Sequence, residues 1–166
     1  MRILCLSVFS AVFFAAFPAS AGDTASAATV FFVHDSTQKQ SAFYVNAVAE
    51  RIRKSGRNFR EESAEGAASL DASPYQVVVL YGMVMAFNFK SEVRHWLKSV
   101  ESLKNKRVFV IVTANRWFKG HLLRDLVALS GERGATVVDA VSMATNKMSD
   151  TEKLAKIDSC LAKLGQ

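Results

Sequence analysis

Sulfur is scarce in this chain: its 166 residues hold two cysteines, Cys5 and Cys160. Two thiols are too few for a disulfide framework or a metal cluster built on sulfur. Prolines number two and glycines eight, which excludes a collagen-like or low-complexity chain. Several enzyme signatures are missing too. No G-x-S-x-G elbow, H-E-x-x-H pair or G-x-x-x-x-G-K-S/T loop occurs, so nothing points to a serine hydrolase, a zinc protease or a nucleoside triphosphatase. The formal net charge is +6, yet aromatic and basic residues do not interleave as single-strand binders require. No nucleic-acid partner is expected, and no solenoid repeat is present.

The first residues bear on the compartment. Arg2 precedes an apolar run from Ile3 to Phe17, and "PASA" then places small residues at Ala19 and Ala21. This pattern predicts a secretory signal peptide over residues 1–21, cut before Gly22, and an exported protein, periplasmic or secreted. The run is shorter than the roughly 20 apolar residues a spanning helix needs, so no membrane anchor is expected after cleavage. Cys5 lies too early in the run for a lipid-bearing cysteine. Residues 22–28 read as a flexible leader and 29–166 as one domain, since about 145 residues support a single sizeable core. Cys160 would then be the lone thiol, placed by helical spacing on one apolar stripe with Ile157 and Leu164, and expected to be buried.

The remaining chain alternates short apolar runs with helical periodicity. "TVFFV" (29–33), "QVVVLYGMV" (76–84) and "VFVIV" (108–112) read as buried strands, and "ATVVDAVSM" (135–143) as a fifth strand. "RNFREES" (57–63) has little apolar material and reads as an exposed edge strand. Between them, Val45, Val48, Ala49 and Ile52 form one helical stripe, stopped at Gly56. Phe89, Val93, Trp96, Leu97 and Val100 form a second, with Asn88 as its expected cap. Leu122, Leu123, Leu126, Val127 and Leu129 form a third, ended by Gly131 and Gly134. The last helix opens with "SDTE", a capping box between Ser149 and Glu152. The expectation is an α/β protein: a three-layer, doubly wound, five-stranded parallel sheet with strand order 2-1-3-4-5. Such sheets bind ligands outside the carboxyl ends of their strands. That directs attention to residues 34–41, 82–87 and 113–120.

Through these loops the chain resembles the flavodoxins, over Thr29 to Leu164. In that family the first strand ends in a loop of hydroxyl residue, any residue, threonine, glycine, any residue and threonine, which wraps the phosphate of flavin mononucleotide (FMN). Here the loop is "STQKQS", in which Ser36 and Ser41 match the hydroxyl positions and Thr37 the variable one. Gln38 replaces the threonine, Lys39 the glycine, and Gln40 completes the loop. Glycine lets the backbone approach the anion with positive φ, so Lys39 marks either a lost phosphate site or one where an ammonium supplies the charge. The resemblance further implies that Gly82, Met83, Asn115 and Trp117 border the isoalloxazine ring; Trp117 also fits a hydrophobic lid over the sheet end. It implies FMN as cofactor, electron transfer as activity and a redox protein as partner. The alternative is a cofactor-free binding module on the same fold.

Familiar flavodoxins are acidic, whereas this chain is basic, and an exported unfolded chain would have to acquire its flavin outside. The stretch "SPYQVVVLYGMVMAFNFKSEVRHWL" is also similar to a flavodoxin-like branch that includes a bacterial protoporphyrinogen oxidase; export speaks against haem synthesis. His34 and Asp35 end the first strand on opposite faces, and Asp35 is expected to cap the loop or the helix after it. His121 and Asp125 are expected to pair on the surface of the fourth helix.

Overall fold

The computed structural model describes residues 29–36, 39–84, 90–115 and 119–166. Its elements alternate as the periodicity predicts: β1 (Val30–His34), α1 (Ala42–Lys54), β2 (Phe59–Ser63), α2 (Ala64–Ala67), β3 (Val77–Met83), α3 (Glu92–Ser99), β4 (Arg107–Ala114), α4 (Lys119–Glu132), β5 (Thr136–Ala144) and α5 (Asp150–Leu161). All neighbouring strands run parallel, in the order β2-β1-β3-β4-β5. The short helix α2 is an addition to the sequence reading. Four residues cannot show a helical period, and α2 is held by its cap, where the Ser63 hydroxyl accepts from the Gly66 N–H at 3.1 Å.

Strand alternation divides the core into two layers. Val30, Phe32, Val77, Val79 and Tyr81 face α1 and α5, where Ile52, Ile157 and Leu164 close over them. Phe31, Val33, Val78 and Leu80 face the other side, against Trp96, Leu97, Leu122 and Leu126 of α3 and α4. β1 and β3 are buried along their whole length, as central strands must be. The edge strand β2 is half exposed, as its charged residues require. Cys160 lies in the first layer and is 2% exposed.

Turn chemistry closes the frame at the amino ends of the strands. Gly56 takes φ +72° at the end of α1. α4 continues through Gly131 to Glu132, and Gly134 then turns the chain with φ +85°. The buried Lys106 ammonium donates to the carbonyls of Ser73 and Tyr75 at 3.0 and 2.7 Å, tying the entry of β4 to that of β3. α3 starts at Glu92 and is capped by Ser91, whose hydroxyl accepts from Arg94 N–H at 3.2 Å. The expected cap Asn88, and Phe89 with it, lie outside the described residues. The carboxyl ends of the strands, and the starts of the helices after them, are thus gathered on one rim.

Candidate functional site

Two structures occupy that rim, one on each face of the sheet. On the face of α1 and α5 is a cavity of about 630 Å³. Gln40, Phe43 and Tyr44 supply its wall from the start of α1, Met83, Val84, Ala114 and Asn115 its floor from the ends of β3 and β4, and Thr145, Asp150 and Lys153 its far side. Tyr44 is buried and stacks on Tyr81 at 6.1 Å, and the Tyr81 hydroxyl shares a hydrogen bond with Thr113 at 2.8 Å. Burial raises the pKa of both phenols, so both are neutral over the ordinary pH range. Phe43 is 39% exposed, the one large hydrophobic among the described residues left so open to solvent. The Lys153 ammonium lies 5.9 Å from its ring and pairs with Asp150 at 2.8 Å. Across the floor, Thr145 donates to the Asn115 side-chain oxygen at 3.1 Å. The charges that line the cavity, one ammonium and one carboxylate, therefore cancel.

On the other face, two carboxylates stand where β1, β3 and α3 meet. Asp35 accepts from the Met83 N–H at 2.7 Å, the Val93 N–H at 2.8 Å and the Ser91 hydroxyl at 3.4 Å. It caps a helix, but α3 and not the expected α1, because its side chain lies on the α3 face of the sheet. Burial raises its pKa, opposed by those backbone donors. Ser36 donates from its backbone N–H and from its hydroxyl to one oxygen of Glu92, each at 2.6 Å. His34, on the opposite face from Asp35, donates from Nδ1 to the Asp35 carbonyl at 2.7 Å.

The expected site residues separate accordingly. Gln40, Met83 and Asn115 come together in the cavity. Ser36 is engaged by Glu92. Ser41 is fully buried at the start of α1, and Lys39 is exposed. Gly82 does not line the cavity; a Cβ there would approach Leu122 and Leu126 at 3.2 Å, so this glycine answers to the close packing of α4. Thr37, Gln38 and Trp117 lie outside the described residues. The sequence reading missed Phe43, Tyr44, Thr145, Asp150, Lys153 and Glu92. A fourth rim loop, between β5 and α5, was the available signal for three of these. Asp125 pairs with Arg94 at 3.2 Å and His121 with Arg124 at 3.1 Å. Among the described residues no group of three or more metal-ligating side chains forms, and no helix is long and apolar enough to cross a membrane.

No protein-family profile and no curated sequence matches the chain. Solved structures do. An oxidised flavodoxin 2 from Bacillus cereus superposes with a TM-score of 0.65 at 14% identity, over 82% of this chain and 99% of that one. The chain has the flavodoxin-like fold. A putative quinone reductase from Klebsiella pneumoniae superposes at 0.60 with 13% identity, over 82% of this chain and 85% of its own. A Fusobacterium nucleatum flavodoxin mutant bound to flavin mononucleotide superposes at 0.61 with 10% identity, over 80% and 93%. The flavodoxin-like frame accounts for the rim: β1 to β2 winds one way and β1 to β3 the other, and that reversal opens the crevice.

Proposed function

We propose that the rim cavity holds a flavin-type ring and that the protein carries electrons with it. The observation that carries this reading is the cavity itself, about 630 Å³ at the carboxyl ends of β3 and β4 beside the start of α1. Its size and its mixture of aromatic, apolar and few polar groups suit a small aromatic ligand. Phe43, Tyr44, Met83 and Val84 offer the apolar surface, and Gln40 and Asn115 the amide groups that a ring with carbonyl and N–H edges requires. Several structures of the same fold are named as flavodoxins, and one is described as holding flavin mononucleotide. A flavin, when bound, supplies reversible electron uptake; the chain supplies the shelf, the edge contacts and the exclusion of water.

The residues present fit the ring better than they fit the phosphate, because the expected donors at Ser36 already serve the Glu92 carboxylate. That contact favours the second reading, a cofactor-free module that uses the same rim for a protein partner. A titration of the purified protein with flavin separates the two. Saturable quenching of flavin fluorescence, with a shifted visible absorbance band, is expected of the first. Unchanged fluorescence at every protein concentration would overturn it and leave the second. A redox protein as partner and export after removal of residues 1–21 complete the first reading. Their support is the signal-like segment and the exposed Phe43 at the cavity mouth. N-terminal sequencing of protein recovered from the cell envelope should begin at Gly22.

A further inference from the structure

We infer that Glu92 sets the ligand specificity of this rim, so that it takes a flavin without a phosphate ester, of the riboflavin type, in preference to FMN. The inference rests on the flavin reading of the cavity and adds which flavin it accepts.

The flavodoxin resemblance assigns a phosphate at the end of β1 the N–H and hydroxyl of Ser36, and both are spent on one carboxylate oxygen at 2.6 Å. Charge-assisted bonds of this kind are among the stronger ones a protein makes. Glu92 is also the first residue of α3, where the helix dipole favours a negative side chain, so the carboxylate is held from two directions. One residue before Ser36, the buried Asp35 carboxylate is bonded to Met83 and Val93. An entering phosphate would therefore displace one anion and sit beside another. Across the rim, Lys153 is neutralised by Asp150, and Lys39 is exposed at the surface, so the described side chains form no converging cationic pocket. The ring's place beside Tyr44 and Met83 is unaffected by any of this, since Glu92 lies on the opposite face of the sheet from α1.

The test compares riboflavin and FMN by fluorescence quenching against the full mature chain. Wild-type protein should bind riboflavin about tenfold more tightly than FMN, since one unit of like-charge repulsion at a partly buried site has at least that effect. Glu92→Gln should move the ratio of the two affinities about tenfold toward FMN. Inorganic phosphate should not displace FMN from the wild type, since no phosphate site is there to compete for, a measurement that stands even where the variant fails to fold. FMN binding as tightly as riboflavin, or displacement by phosphate, would overturn the inference and leave the flavin reading intact. Failure of both flavins to bind would overturn the flavin reading and the inference with it.

Discussion

The Val93 N–H lies 2.8 Å from a carboxylate oxygen of Asp35, a residue fifty-eight positions earlier in the chain. The other oxygen takes the Met83 N–H at 2.7 Å, so one side chain joins the ends of β1 and β3 to the first turn of α3. This junction fixes the back of the rim. Asp35→Ala strands two buried donors and should cost about 3 kcal/mol in urea unfolding. An unchanged midpoint would mean that water or another acceptor replaces the carboxylate.

The same residue makes stability depend on pH. Burial, reinforced by the neighbouring Glu92 charge, raises the Asp35 pKa above its ordinary 3.8, while its hydrogen bonds act the other way. The folded state then holds the proton more tightly than the unfolded chain does. Its stabilising contribution is fully present below 3.8 and is lost as pH rises through the raised native value. Asp35→Asn abolishes that linkage. The difference in unfolding free energy, wild type minus variant, should fall as pH is raised from 3.8 upward; a rising difference would show that the hydrogen bonds outweigh burial.

Gly82 is set by packing. Leu122 and Leu126 lie 3.2 Å from where its Cβ would stand, tighter than ordinary contact. Gly82→Ala should fold but lose about 1–2 kcal/mol, as overpacked cores do. A flavin-contacting glycine would behave differently, losing ligand affinity with stability unchanged, so thermal melts and flavin titrations on the one variant separate the two roles.

The frame was legible because its signals are local. β1, β3 and β4 each read as an apolar run because both faces are covered, and β2 reads as an edge because Arg60, Glu61 and Glu62 cannot be. Ser149 and Glu152 sit three residues apart, so their capping box needs no tertiary knowledge. The site was less legible, since its contacts are remote in sequence. Ser36 meets Glu92 across fifty-six positions, and no spacing rule points from one to the other. Phe43 and Tyr44 precede the helical stripe that begins at Val45, and so escaped a reading built on core periodicity. The choice between Asn88 and Ser91 as cap of α3 depended on where Asp35 anchors Val93, which only the assembled sheet determines.

Cys160 should be chemically silent. It is 2% exposed on the buried face of α5, and burial pushes its thiol pKa up to about 12, so the thiolate that reacts is nearly absent at neutral pH. Protein prepared without residues 1–21, whose one thiol is Cys160, should fail to react when native with a disulfide reagent that labels it in urea. Rapid stoichiometric labelling without denaturant would place Cys160 at an accessible surface and bring α5 packing into question.

α5 also tests whether the cavity depends on its capping. The Ser149 hydroxyl accepts from the Glu152 N–H at 3.3 Å, while the Glu152 carboxylate accepts from the Ser149 N–H at 2.7 Å. Those bonds hold the first turn that carries Asp150 and Lys153 into the cavity. The Ser149 donors keep the Glu152 pKa below its usual 4.5, so the box contributes stability above that value and loses it as pH falls through the lowered one. Ser149→Ala should destabilise by about 1 kcal/mol, in line with other lost N-caps. If α5 positions the ligand, the variant should also bind flavin more weakly, and hydrogen exchange should speed up at the first turn of α5 before any other helix. Faster exchange with unchanged binding would remove Lys153 from the binding surface and leave α1 and the strand ends to hold the ring.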